Sequence, residues 1–124
     1  MRAADELRLF SYLVAAHSVA IGGGLAAAPD FATGLAGFGP VRPVFFARQA
    51  GVFHLVLAAG YVLDARRGSA AFLVTAKAIA VVFLAAAALA GVSAWAVPVS
   101  GAADGAMALV GLWLWRRAAR LRTA

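Results

Sequence analysis

Cysteine is absent from this 124-residue chain, and charge is scarce. Without thiols there is no disulfide framework, no thiolate metal site and no thiol redox chemistry, and the redox compartment is left open. Only 13% of residues are charged, against about 25% in an ordinary soluble domain. Enzyme signatures are missing as well. No GxSxG occurs, and the carboxylates Asp5, Glu6, Asp30 and Asp64 lie at segment ends, where solvation accounts for them. The glycine-rich stretch "IGGGLAAAP" lies inside an apolar block, without the strand and lysine of a phosphate loop. It reads as a packing or kink segment.

What the chain has in quantity is apolar sequence, 65% of it, gathered in long blocks rather than on one face of each segment. This is a membrane composition. The net charge of +6 does not point to nucleic acid, because the basic residues stand at segment ends rather than on one soluble face. Four blocks reach the roughly 20 residues needed to cross a bilayer core of about 30 Å. They run at about Leu9 to Ala28, Phe45 to Leu63, Ala70 to Gly91 and Val97 to Trp115. Each is rich in Ala, Leu and Val without the alternation of a barrel strand, so helices are expected. The fold class is all-α: a single-domain, four-transmembrane-helix bundle.

The first linker, "PDFATGLAGFGPVRP", holds three of the four prolines together with Gly34, Gly37 and Gly39, and reads as a turn-rich loop at the interface. "DARRGS" and "VSAWAVP" are short turns. The small residues of "LAAAPD" offer a signal-type cleavage site, but Asp5 and Glu6 dilute the basic start and His17 interrupts the apolar run, so a membrane span is expected instead.

With four crossings both termini share a side. That side holds Arg2, Arg8, Arg66, Arg67, Arg116, Arg117, Arg120 and Arg122, and the other only Arg42 and Arg48. The positive-inside rule then places both termini of this multi-pass membrane protein in the cytoplasm. Trp113 and Trp115 suit an inner interfacial belt, with Trp95 and Phe45 or Phe46 on the outer side. The basic tail reads as a topology signal against membrane lipid.

Depth follows from a rise of about 1.5 Å per residue. His17 lies about 13 Å from Arg8, His54 about 15 Å from Asp64, Lys77 about 12 Å from Ser69 and Asp104 about 18 Å from Arg116. Each helix therefore carries one ionisable side chain near the midplane, where such groups are expected to face inward and find partners. Small residues share their faces: Ala50, Gly51 and Ala58 with His54, Ala20 and Gly24 with His17, and Gly101, Ala108 and Gly111 with Asp104.

Three readings of this cluster are open. In the first the groups satisfy one another: Lys77 pairs with Asp104, the histidines donate to a backbone carbonyl or to Ser18, Tyr12 or Tyr61, and Arg48 caps the outer end. In the second, His17 and His54 at matching depth ligate a b-type haem, with Arg48 or Lys77 for its propionates. A zinc site would have only these two nitrogen ligands and no cysteine. In the third, the cluster lines a binding cavity for a quinone, lipid or small apolar molecule, or a proton path.

The order of features also resembles a family. A first helix closing on "APDFATGLAGFGP", a second opening with "ARQAGVFHLVLAAGY", a third with an early basic residue in "TAKAIAVVF" and a fourth with an acid in "GAADGAMALVG" resemble the small four-helix bacterial inner-membrane proteins of the DoxX-like group. The resemblance implies a four-helix membrane fold and an association with redox or stress systems. It implies no catalytic residue, and His17 and His54 are not part of its pattern. The function expected is therefore an accessory or scaffolding subunit, a homo-oligomer or part of a larger membrane complex. It would dock through small-residue faces such as those of Gly51, Ala58 and Gly111. A haem- or quinone-binding protein and a small-molecule or proton carrier are the alternatives.

Overall fold

The computed structural model describes residues 2–123, with the side chains of residues 122 and 123 outside the description, so the Arg122 side chain in the basic tail lies outside it. Five helices make up the described chain: α1 (Ala3–Ala27), α2 (Pro29–Leu35), α3 (Phe45–Arg67), α4 (Ala71–Leu89) and α5 (Ala96–Thr123). All but α2 are long and apolar enough to cross a membrane, the make-up of a multi-pass membrane protein.

Helix ends follow local chemistry. α1 begins six residues before its apolar block, with Asp5 and Glu6 in its first turn, where carboxylates oppose the positive end of the helix dipole. Pro29 ends it, because proline has no N–H to continue the ladder, and the same proline opens α2 at its first turn. The segment expected to be a turn-rich loop thus contains a seven-residue helix. The expectation failed because the Pro and Gly count outweighed a local start signal. α3 closes at Gly68, whose φ of 64° is left-handed, with the Ser69 N–H returning to the Asp64 carbonyl. The Asp64 carboxylate then accepts the Leu73 N–H at 2.9 Å and the Ser69 hydroxyl oxygen the Ala71 N–H at 3.0 Å, so both cap α4. Asp64 is buried rather than solvated, contrary to expectation.

Neighbouring helices are antiparallel around the bundle in the order α1, α3, α4, α5. The most extensive packing is within two pairs, α1 on α3 and α4 on α5. In the half nearer the termini, Leu7, Leu114 and Ala118 are buried with Ala3 and Ala70. Toward the midplane Val14, Ala15, Ala58, Tyr61 and Leu73 continue that core. On the opposite side α2 is tied to α5: the Trp95 indole N–H donates to the Leu35 carbonyl at 2.9 Å and the Ala96 N–H to the Ala36 carbonyl. Gly37 has φ 87° there, and a Cβ on it would stand 2.8 Å from the Trp95 ring.

Candidate functional site

The polar centre of the bundle begins with Lys77 of α4, one turn beyond the buried Leu73 and itself only 4% exposed. Its Nζ meets Asp104 Oδ1 of α5 at 2.5 Å. In a medium that hydrates neither ion, each supplies the other's only strong compensation. The Tyr61 ring lies 5.7 Å from the Lys77 ammonium, within cation–π range, so three helices meet at this charge. His54, about two turns from Tyr61 on α3, lies within electrostatic range of Lys77, Asp104 and His17. Its Nδ1 is buried and has no hydrogen-bond partner among the described residues. The same holds for Ser18 Oγ on α1, whose residue is fully buried.

The remaining expected members lie elsewhere. His17 is exposed on the outer face of α1, and Tyr12 is 40% exposed. The inward stripe of α1 is Ser11, Ser18 and Gly22, rotated by one residue from the stripe expected around His17. Arg48 is exposed and lines an open surface hollow with Val44, Phe45, Gln49 and Val52. The structure therefore brings Lys77 and Asp104 into contact and His54 to their edge, but leaves His17 and Arg48 outside.

Between α1 and α3 the backbones touch. A Cβ on Gly22 would stand 2.7 Å from the Gly51 carbonyl oxygen, and one on Gly51 would stand 2.7 Å from that of Gly22. His54 stands beside this contact, whereas His17 is exposed and about 140° round α1 from Gly22, so the two imidazoles do not face each other across the seam. The residues do not fit a haem ligated in that way. No three His, Asp or Glu side chains among the described residues converge on a metal position. Gly51 and Ala58 are buried in the α1–α3 seam, and a Cβ on Gly111 would meet Leu73 at 2.9 Å. The small-residue faces expected to dock a partner are thus consumed within the chain.

Outside the spans, Arg42 grips Asp30 through two hydrogen bonds, at 2.6 and 3.0 Å. The guanidinium holds the Asp30 carboxyl below its ordinary pKa of 3.8, chiefly through these bonds, and the carboxylate raises Arg42 in turn. This pair braces α2 against the following loop. At the other end Glu6 binds Arg117 at 2.7 Å, joining α1 to α5.

The sequence signal for Ser18 and Gly22 was present as a small-residue spacing of four, but alanine and glycine are frequent all round α1, and the spacing alone gave no rotation. No family model, curated protein or solved structure matches this chain.

Proposed function

We propose that the protein is an accessory or scaffolding subunit of a membrane assembly, set in the bacterial cytoplasmic membrane with both termini in the cytoplasm. The observation that carries this reading is the imbalance of α4. Of its 19 residues only Leu73 and Lys77 are buried. Beyond Lys77 its outer face, with Ile79, Val82 and Phe83 each about two-thirds exposed or more, forms a shallow apolar hollow together with Ala78. Such a hollow suits the side chains of another membrane helix. The resemblance to the DoxX-like group supports a redox or stress complex as the assembly. The eight arginines on the terminal side support the orientation.

A photoactivatable residue at Val82 tests the proposal in intact membranes. The expected product is a covalent adduct with a different membrane protein, absent when the same residue stands at Val56 on α3. Adducts with lipid alone would overturn the reading, and an adduct with a second copy would replace it with a homo-oligomer.

One observation favours a second reading, a proton or small-molecule carrier. His54 Nδ1 and Ser18 Oγ are buried and have no partner among the described residues, and His54 stands at the edge of the Lys77–Asp104 pair, an arrangement suited to accepting water or a proton. Proteoliposomes containing the native chain would then show a proton flux that Asp104→Asn abolishes. Equal flux from both removes this reading.

A further inference from the structure

The end of the bundle that carries the termini holds eight arginines and three acids. All three acids are engaged within the chain. Asp5 pairs with Arg2 at 3.3 Å, Glu6 with Arg117 at 2.7 Å, and the Asp64 carboxylate accepts the Leu73 N–H. Arg8, Arg66, Arg67 and Arg116 are exposed and have no counter-ion among the described residues. Four guanidinium groups therefore look outward for their anion.

Two of them belong to one seam. The Gly22–Gly51 contact sets the antiparallel register of α1 and α3. Fourteen residues back from Gly22 lies Arg8, and fifteen on from Gly51 lies Arg66, so both stand at the same end of one seam. Rotation agrees. Gly22 faces α3, and fourteen residues at about 100° each place Arg8 about 40° from that direction. Gly51 faces α1, and fifteen residues at about 100° each place Arg66 about 60° from that direction. Arg67 adjoins. The level is that of the membrane boundary: the apolar block of α3 ends at Leu63, and Trp113 and Trp115 mark the interface on α5.

We propose that Arg8 and Arg66, with Arg67 beside them, form a binding site for the phosphate of an anionic phospholipid at the terminal end of the α1–α3 seam. Guanidinium matches phosphate through paired N–H donors, and two guanidinium groups held together without an acid between them attract an anion to relieve their mutual repulsion. Their depth favours a phosphate that arrives on acyl chains over an acidic peptide.

The test uses the full chain, stripped of lipid in neutral detergent and titrated with phosphatidylglycerol or phosphatidylcholine while bound lipid is counted by native mass spectrometry. Phosphatidylglycerol is expected to remain bound and phosphatidylcholine to dissociate. Arg8→Gln or Arg66→Gln should weaken phosphatidylglycerol by about fivefold each, and the double variant by about thirtyfold. Arg8→Lys/Arg66→Lys should keep most of the affinity, which separates loss of the site from loss of the fold. Arg42→Gln/Arg48→Gln, at the opposite end, should leave it unchanged. Equal retention of both lipids, equal loss in the opposite-end variant, or displacement of the lipid by millimolar inorganic phosphate would each overturn the proposal.

Discussion

Where α1 meets α3, two glycines let the backbones touch; where α4 meets α5, a lysine and an aspartate join at 2.5 Å. Both seams lie in the same bundle and face the same difficulty. Lipid chains are as apolar as leucine, so burial of apolar surface gives helices little reason to associate. The α1–α3 seam answers with close packing, which depends on shape and tolerates no added volume. The α4–α5 seam answers with charge, which depends on both partners being present and is indifferent to small changes in size. The same bundle should therefore respond in opposite ways to added bulk and to removed charge.

The largest difference should come from charge. Lys77→Met leaves the partly buried Asp104 carboxylate within the membrane span without a counter-ion and should cost about 3–5 kcal/mol, measured by unfolding in mixed detergent. The same substitution should leave the α1–α3 contact intact, which a cross-link between the two helices would report. Next comes bulk. Gly51→Leu drives a side chain into the Gly22 carbonyl and the α1 backbone, and should cost about 1–3 kcal/mol by the same measurement. A neutral outcome there would mean that the helices separate without penalty and that their contact does not hold the pair.

The third effect has the opposite sign. Ser18 has a buried hydroxyl with no partner among the described residues, in the α1 face of the packed seam. Ser18→Ala removes a desolvated polar group and should stabilise the protein by about 1 kcal/mol. Destabilisation would show that the hydroxyl has a water or His54 as its partner, and would strengthen the carrier reading.

The smallest effect lies outside both seams. Asp30 is exposed and its pKa is depressed by Arg42, so its contribution is complete above its ordinary value of 3.8 and lost as pH falls through the lower folded value. Native protein and Arg42→Gln should therefore melt at slightly different temperatures at neutral pH and converge under strong acid. A difference that grows on acidification would contradict the assigned pair.

These contrasts also show what the sequence could disclose. Spans were legible because apolar blocks of about 20 residues have few other uses. The pairing of Lys77 with Asp104 was legible because two opposite charges at midplane depth have no better partners than each other. Rotation was not. Protein-facing and lipid-facing surfaces of α1 are both apolar, so nothing in its pattern distinguished the Ser18 stripe from the His17 stripe one residue away. Helix ends were misplaced for a related reason. α1 and α5 continue through charged turns beyond the apolar block, and hydropathy marks the membrane boundary rather than the helix terminus. Asp64 misled differently, since its position beside "ARR" suggested solvent while its actual partner, the Leu73 N–H, lies nine residues on.

The central claim is that charge joins α4 to α5, and a double-mutant cycle on Lys77→Met and Asp104→Leu tests it most directly. Each single change should cost about 3–5 kcal/mol, while the double variant, with two apolar side chains in place of the ions, should unfold close to the native chain. Additive losses, with the double variant as weak as the two singles combined, would contradict it.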